Sequence, residues 1–462
     1  MLRRRPATGW LFCDGSRADV EGSMCQAGSY RTLQRVVLHC LCGFVGVFGL
    51  SLGVAGAAAD DEQSPGRQVV AQALQPATPP PTPAARPATS PPLNPASGPP
   101  AAPRAPLTMN SAELRQRLAR TRMARSPEMF GDQFLSSPLL LNGGTNPLTT
   151  FATIGTLSAP SSLHAFSQKV SENNHPLPRD RVFYSFNAFD DALKFDSSFD
   201  GALFPASRSQ TLLRHTVGIE KTFNEGESSI EFRLPFFDGT TYGRTVGAES
   251  LAYDGGNVGN LLVTAKTLLY ESDAFAMSAG LGVAAPTGSD ATIRVNSTLA
   301  KIDNSAVYLS PFLASLWTPS DEWFVMGFSQ IQVSANGDPV VLRDPLLGNS
   351  RVATVNAPTA LSLDLSIGRW LFRDRTDAII QGMALVGEVH QFAALQDTDG
   401  VPQADPTDVG LRAADERLSL TTLTFGVHSV LPGNSTLRVA GVVPMDDDQF
   451  DGELIVQFNF YY

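Results

Sequence analysis

From Arg181 to the end of the 462-residue chain, apolar and polar residues alternate in short runs separated by turn residues. In 228–237, Ser229, Glu231 and Arg233 alternate with Ile230, Phe232 and Leu234. In 274–285, Phe275, Met277, Ala279, Leu281 and Val283 alternate with Ala276, Ser278, Gly280 and Gly282. In 358–372, Leu361, Leu363, Leu365 and Ile367 alternate with Ser362, Asp364, Ser366 and Gly368. The last ten residues put Leu454, Val456, Phe458, Phe460 and Tyr462 on one face and Glu453, Ile455, Gln457 and Asn459 on the other. Successive side chains of a strand point to opposite faces, so period two indicates β-structure. A face of Leu, Ile, Val and Phe suits lipid; a face of Ser, Gly and charged residues suits a wet or tightly filled interior.

The pattern predicts twelve strands, at 181–190, 209–222, 228–237, 257–271, 274–285, 304–318, 322–335, 358–372, 378–391, 416–431, 434–444 and 452–462. Tight links fall at Asn224-Glu225-Gly226, Ser272-Asp273, Pro319-Ser320-Asp321, Arg373 to Asp377 and Pro432-Gly433-Asn434. Long links fall at 191–208, 238–256, 286–303, 336–357, 392–415 and 445–451, and short and long alternate without exception. A soluble sandwich has no reason to keep its long loops at one end, whereas an outer-membrane barrel has short periplasmic turns and long external loops. An even strand number also returns both ends of the wall to the periplasmic side. The expected fold is all-β, an antiparallel transmembrane β-barrel of about twelve strands over 180–462, with a margin of about two where Gly- and Ala-rich segments blur.

Upstream, Arg31 and Arg35 precede an apolar run from Val36 to Val54, and Ala55-Gly56-Ala57-Ala58-Ala59 stands before Asp60-Asp61. These features describe a secretory signal peptide over 1–59, cleaved near Ala59, with Met24 as an alternative start. The run also approaches spanning length, which leaves an uncleaved inner-membrane anchor as the other reading. An acylated Cys40 or Cys42 is disfavoured, because His39 or Leu41 would stand where lipoprotein processing needs a small residue. Cys13, Cys25, Cys40 and Cys42 all lie upstream of the cut, so the mature chain would carry no disulfide. Removing six Arg and three acids from 34 basic and 45 acidic residues leaves 28 against 42, a net of −14, which argues against nucleic acid as a partner.

Residues 60–107 are a Pro- and Ala-rich linker that can form no core, so the expectation is a disordered arm. Extended at about 3.1 Å per residue it would reach on the order of 100 Å, as a tether to the cell wall or an inert spacer. In 108–179, Asn110-Ser111 caps AELRQRLARTRMAR, a short basic amphipathic helix with Leu114 and Leu118 one turn apart. Contact with an anionic surface or glycan and a solvated helix are its two readings. The rest of 108–179 is expected to be a lead-in that sets strand register, or a plug folded into the lumen and including Met129 to Leu141.

The segment SQKVSENNHPLPRDRVFYSFNAFDDA (167–192) and the later GLGVAAPTGSD (280–290) resemble a planctomycete-type family of exported β-barrel proteins. The second segment is also similar to the strand-end of barrels assigned to the meta-pathway of phenol degradation. The likeness covers 130–462 and implies an outer-membrane barrel, with Pro286, Thr287 and Gly288 at the exit into an external loop.

Strand alternation assigns Arg214, Glu220, Glu231, Arg233, Lys266, Asp364, Arg369 and Glu388 to the interior, because charge facing lipid near the midplane costs several kcal/mol. Charges of both signs mean either a solute path with a transverse field or a lumen closed by ion pairs. The small side chains of 274–285 favour open space. Of the histidines after the cut, His164, His175, His215, His390 and His428, none stands in a nucleophile elbow, and adjacent His428 and Ser429 point to opposite faces. No catalytic residue and no cofactor is expected. Acids in the long links (Asp190, Asp191, Asp196, Asp200; Asp397, Asp399, Asp405, Asp408; Asp446, Asp447, Asp448, Asp451) suit a hard cation or a solvated rim, and a metal stays undecided. The expected function is a narrow outer-membrane pore or transporter for small solutes, hydrophobic ones among them. The rivals are a closed structural barrel tethered through its arm, and an outer-membrane hydrolase. Expected partners are outer-membrane lipid, small solutes, the cell wall, and the barrel-assembly machinery, which would read Phe458, Phe460 and Tyr462.

Overall fold

A computed structural model of the chain describes residues 123–131, 138–142, 153–160, 168–199, 208–246, 249–295, 298–344, 349–376, 378–397, 399–401, 410–413, 419–445 and 450–462. The signal segment, the Pro-rich linker and the basic helix up to Arg122 lie outside the described residues. Strands β1 (Pro138–Asn142) and β2 (Thr153–Pro160) form a hairpin ahead of the wall. The wall begins with β3 (Arg181–Phe199), β4 (Arg208–Phe223) and β5 (Ser228–Asp238), followed by the hairpin β6 (Thr241–Val246) and β7 (Glu249–Asp254). It resumes with β8 (Leu261–Glu271) and β9 (Phe275–Ala285), then the hairpin β10 (Ala291–Val295) and β11 (Thr298–Ile302). Next come β12 (Tyr308–Trp317) and β13 (Trp323–Ser334), then the hairpin β14 (Asp338–Asp344) and β15 (Asn349–Val355). β16 (Ala360–Phe372), β17 (Gly382–Ala394), the short β18 (Gly410–Ala413), β19 (Ser419–Leu431), β20 (Ser435–Pro444) and β21 (Gly452–Tyr461) complete the chain.

Twelve of these strands pair in one antiparallel ring, β3-β4-β5-β8-β9-β12-β13-β16-β17-β19-β20-β21, which closes through Phe460↔Val182 and Tyr461↔Arg181. The twelve predicted segments are these twelve strands. β3 is the longest departure: it runs on to Phe199, past a register shift between Phe189 and Leu193 where Asp191 takes φ 53°. Three residues of β3, 190–192, there stand against Thr211 alone on β4, and such an enlarged bulge re-aims the side chains beyond it. At the tight links the backbone turns left-handed at Asn224 and Gly226, and at Gly433 and Asn434, which these residue types tolerate.

The long links are not irregular. Three of them carry the hairpins of a second sheet, ordered β15-β14-β11-β10-β7-β6, whose buried side chains include Tyr253, Ile293, Ala300, Val340 and Leu342. A lone two-stranded hairpin is marginal in water, and side-by-side pairing buries one face of each. β2 pairs with the outer part of β3 (Thr153↔Phe199), and β1 joins β2 to β18.

The outer face of the ring is apolar: Leu363, Leu365 and Ile367 are 47, 55 and 49% exposed, whereas Ser362, Asp364 and Ser366 are buried. Phe223, Tyr270, Trp317, Trp323, Phe460 and Tyr462 are exposed near the short-turn end, the aromatic girdle of a membrane interface. Leu363→Arg or Leu365→Arg is expected to cost about 2 to 4 kcal/mol at the lipid face. The heat-modifiable folded band on a gel should fall for these and persist for Ser362→Arg; equal behaviour of the three would mean that the faces are not lipid and lumen.

Candidate functional site: a plugged lumen

Two stretches that belong to no wall strand, 123–131 and 168–180, are threaded inside the ring. Met129, Phe130, Val170, Glu172, Asn174 and His175 are all buried there. The stretches run antiparallel and share one backbone bridge, where the Met129 N–H donates to the Asn174 carbonyl at 2.8 Å and the Asn173 N–H to the Phe130 carbonyl at 3.3 Å. At the short-turn end Arg179 holds the Glu128 carboxylate and donates to the Ser126 carbonyl at 2.7 Å, while Arg125 pairs with Asp374 in the turn after β16 at 3.0 Å. At the long-loop end Gln168 donates to the Asn260 carbonyl, just before β8. Thus 123–131 rises from the short-turn mouth, and 168–180 descends through the lumen to the start of β3. Residues 168–180 therefore pass through the lumen and also lead into the wall, which begins at Arg181. Of the expected plug range Met129 to Leu141, Met129 to Gly131 lie inside, whereas Pro138 to Leu141 belong to β1.

Wall side chains supply the partners that the plug backbone lacks. The Glu388 carboxylate accepts the N–H groups of Phe130 (2.9 Å) and Gly131 (3.0 Å), and the Gln330 side chain accepts that of Val170 (2.8 Å). Arg438 donates to the carbonyls of Glu128 and Met129, Gln457 to that of Phe130 (2.9 Å), Arg233 to that of Lys169 (3.1 Å), and Lys266 to that of His175 (2.6 Å). Packing agrees, because a Cβ at Gly426 would stand 2.6 Å from the Phe130 ring and one at Gly282 would stand 3.1 Å from Val170. Small wall residues make room for the plug; they do not leave an open lumen.

Charges are paired in two groups. Arg181 bonds Glu220 (2.8 Å) and Glu231 (2.7 Å), Arg233 bonds Glu231 (2.6 Å), Lys266 meets Glu220 (3.1 Å), and Arg214 bonds the plug's Glu172. Across the ring Asp364 meets His390 Nδ1 (2.9 Å) and the plug's Lys169 (3.5 Å), and Glu388 lies 3.2 Å from His390 Nε2. Among the described residues the buried lumen holds Lys169, Arg181, Arg214, Arg233, Lys266 and Arg438 against Glu128, Glu172, Glu220, Glu231, Asp364, Glu388 and Glu453. Near balance is forced, because a buried charge without a partner costs several kcal/mol. Just outside the wall strands, burial opposes charge on Asp180, but bonds from Lys221 and from the Thr222 N–H and hydroxyl outweigh it and hold this carboxyl below its ordinary value.

Seven of the eight interior candidates, Arg214, Glu220, Glu231, Arg233, Lys266, Asp364 and Glu388, are buried inside the ring. Arg369 is not: it shares the outward parity of Leu365 and Ile367, and at its strand end it pairs with Glu322 at 3.0 Å over the Trp323 ring. Phe460 and Tyr462 are exposed on the outer face, with Phe458 half-buried on the same side. Sequence reasoning missed Arg438, although its strand alternates cleanly and parity alone would have placed it inside, whereas Gln457 stands on the polar face that alternation gave it. It also missed Glu128, Lys169 and Glu172, for which a non-strand segment offers no period.

The plug also contains a serine–histidine pair, Ser126 Oγ to His175 Nε2 at 2.8 Å. Its polarity is wrong for a nucleophile. The Leu177 N–H donates to His175 Nδ1 at 2.9 Å, so Nε2 carries the proton, and the Ser126 hydroxyl donates to the Met123 carbonyl at 2.6 Å. The pair staples the two plug segments. Among the described residues no three His, Cys, Asp or Glu gather as metal ligands; Asp200, Asp405, Asp408 and Asp446 to Asp448 lie outside the described residues. Asp399 accepts the Asn356 side chain at 2.8 Å.

No family model matches the chain, and no curated protein matches it. Solved structures similar to it include an outer-membrane channel of Pseudomonas putida F1, at 11% identity over 62% of this chain and 97% of that one, with a TM-score of 0.38. The KdgM porin gives 7%, 61%, 99% and 0.30, and the translocator domain of the autotransporter NalP from Neisseria meningitidis gives 9%, 63%, 90% and 0.38. The closed ring, its lipid-facing surface and its aromatic girdle define a transmembrane β-barrel of the outer membrane.

Glu388→Ala should free the plug while sparing the wall ladder, since it leaves two buried N–H groups unpaired at about 1 to 3 kcal/mol each. Amide exchange at Phe130 and Gly131, followed by mass spectrometry, should rise at least about tenfold, with wall strands unchanged. Identical exchange in both proteins would show that Glu388 does not hold the plug.

Proposed function

We propose that this protein is a plug-gated outer-membrane channel for small solutes. One observation carries the reading: side chains hold the plug inside the ring, and among the described residues its one backbone bond to the wall, Tyr462 N–H to the Asp180 carbonyl, lies where it runs into β3. The barrel can therefore keep every strand pairing while the plug shifts, and a shifted plug exposes a lumen lined by Arg181, Arg214, Arg233, Glu220, Glu231 and Glu388. The resemblance to barrels of the phenol meta-pathway supports small hydrophobic solutes as the finer class. Planar-bilayer recording tests the proposal. The native protein should be mostly closed, and the double variant Glu388→Gln, Arg438→Gln should open more often, because each lost bond to a charged group is worth about 1.5 to 3 kcal/mol.

The rival reading, a structural barrel anchoring the envelope through its Pro-rich arm, draws support from the near balance of buried charge. Silence of both native and variant proteins in the bilayer, together with cell-wall capture of residues 60–130, would establish it instead. The hydrolase alternative loses support from the Ser126–His175 polarity and from His390, both of whose ring nitrogens lie against carboxylates.

Phe458, Phe460 and Tyr462 are proposed as the outward face read during assembly. Deleting Phe460 to Tyr462 removes the ladder positions opposite Val182 and Arg181 and leaves an edge that lipid cannot hydrogen-bond. The truncated protein should be degraded in the periplasm. A folded, membrane-extracted band at normal abundance would reduce these residues to girdle anchors.

A further inference from the structure

A cavity of about 630 Å³ opens at the short-turn mouth between the plug and the wall. Its plug side is formed by Ser126 and Leu177, and its wall side by Trp370, His428, Val430 and Thr436. Two features mark it as more than a packing defect. His428 is 2% exposed and Thr436 is 6% exposed, yet His428 Nδ1 and Thr436 Oγ1 have no hydrogen-bond partner among the described residues. They stand on neighbouring strands, a diagonal step apart on the same inner wall, since His428 faces Arg438 and Val430 faces Thr436 in the β19–β20 ladder. Buried polar atoms left open are uncommon, and each calls for a water or a ligand group.

The charges around the mouth are engaged elsewhere. Arg125 pairs with Asp374, Arg179 with Glu128 and Asp180 with Lys221, while Arg373 lies over the Trp370 ring and donates to the Asp321 carbonyl. An ion would therefore find no uncommitted counter-charge among the described residues of the mouth. The cavity offers instead apolar surface from Leu177, Trp370 and Val430 beside a buried polar pair, a combination suited to a small molecule, in a volume within the usual range.

We infer that this cavity is a binding site for an uncharged small molecule with an apolar body and one hydroxyl or carbonyl group, which meets His428 and Thr436. Its occupant touches plug and wall together, so its binding free energy depends on where the plug sits. The site stands on this geometry and not on conduction, and its test reads binding alone.

In the full chain with Cys13, Cys25, Cys40 and Cys42 replaced by serine, Val430→Cys in the cavity lining provides the single thiol and leaves His428 and Thr436 in place. Uncharged N-ethylmaleimide should label it, and saturating cyclohexanol should slow that labelling at least threefold. Cyclohexanecarboxylate should leave the rate unchanged, and adding His428→Leu should abolish the protection by cyclohexanol. No slowing by cyclohexanol, equal slowing by the carboxylate, or protection that survives His428→Leu would overturn the assignment. Should the cysteine variant fail to fold, the chain with Trp10, Trp317 and Trp323 replaced by phenylalanine decides the matter. Its Trp370 emission should shift saturably with cyclohexanol and not with cyclohexanecarboxylate, and an unmoved or unselective emission would overturn the site.

Discussion

A backbone threaded through a barrel has no ladder to join, and its N–H and C=O groups must still find partners once water is excluded. Everything inside this ring answers that requirement. Glu388 and Gln330 serve as acceptors for plug N–H groups, and Arg233, Lys266, Arg438 and Gln457 serve as donors for plug carbonyls. The wall thus carries ionisable groups where a filled barrel would otherwise use Leu or Val. Those groups in turn need counter-charges, which the plug supplies through Glu172 and Lys169 and the wall through Glu220, Glu231 and Asp364.

The arrangement makes the lumen sensitive to the plug's position. With the plug in place, Arg214 faces Glu172, and Glu388 is capped by two N–H groups. With the plug displaced, Arg214 would lose Glu172 and Glu388 would lose two N–H donors, and water would take their places. A hydrated lumen and a sealed lumen are then the two self-consistent states, while a dry empty one is excluded on energetic grounds. The wall ladder between strands is unchanged in either state, because the one backbone bond between plug and wall among the described residues, from the Tyr462 N–H to the Asp180 carbonyl, lies where the plug runs into β3.

Period-two alternation is a local signal, and it made the twelve wall strands and seven of eight interior charges legible in the sequence. Arg369 shows its limit. The charge invited an inward assignment, whereas its parity with Leu365 and its place at a strand end direct it outward to Glu322. The plug was far less legible. In 168–180 the residues Glu172, Asn174, His175 and Pro176 follow no period, and only the surrounding wall turns their polarity into an interior feature. The hairpins β6–β7, β10–β11 and β14–β15 were obscured for a related reason: each is too short to announce itself and becomes stable by lying beside the others.

The seam of the barrel and the seat of the plug share the same residues. β21 closes on β3 through Tyr461↔Arg181, and Arg181 is the hub that binds Glu220 and Glu231. The Tyr461 hydroxyl donates to Glu128 at 2.5 Å, and the Tyr462 N–H donates to the Asp180 carbonyl at 3.3 Å, so the closing strand grips both plug segments. Glu128 is itself bound by Arg179, one residue before the chain passes Asp180 into the wall. An open seam would leave Arg181 and Glu128 partly unpaired even with the plug inserted, and an absent plug would leave Tyr461 without its acceptor. Closing the last ladder and seating the plug therefore stabilise each other, which makes the lumen filled at the moment the barrel becomes a barrel.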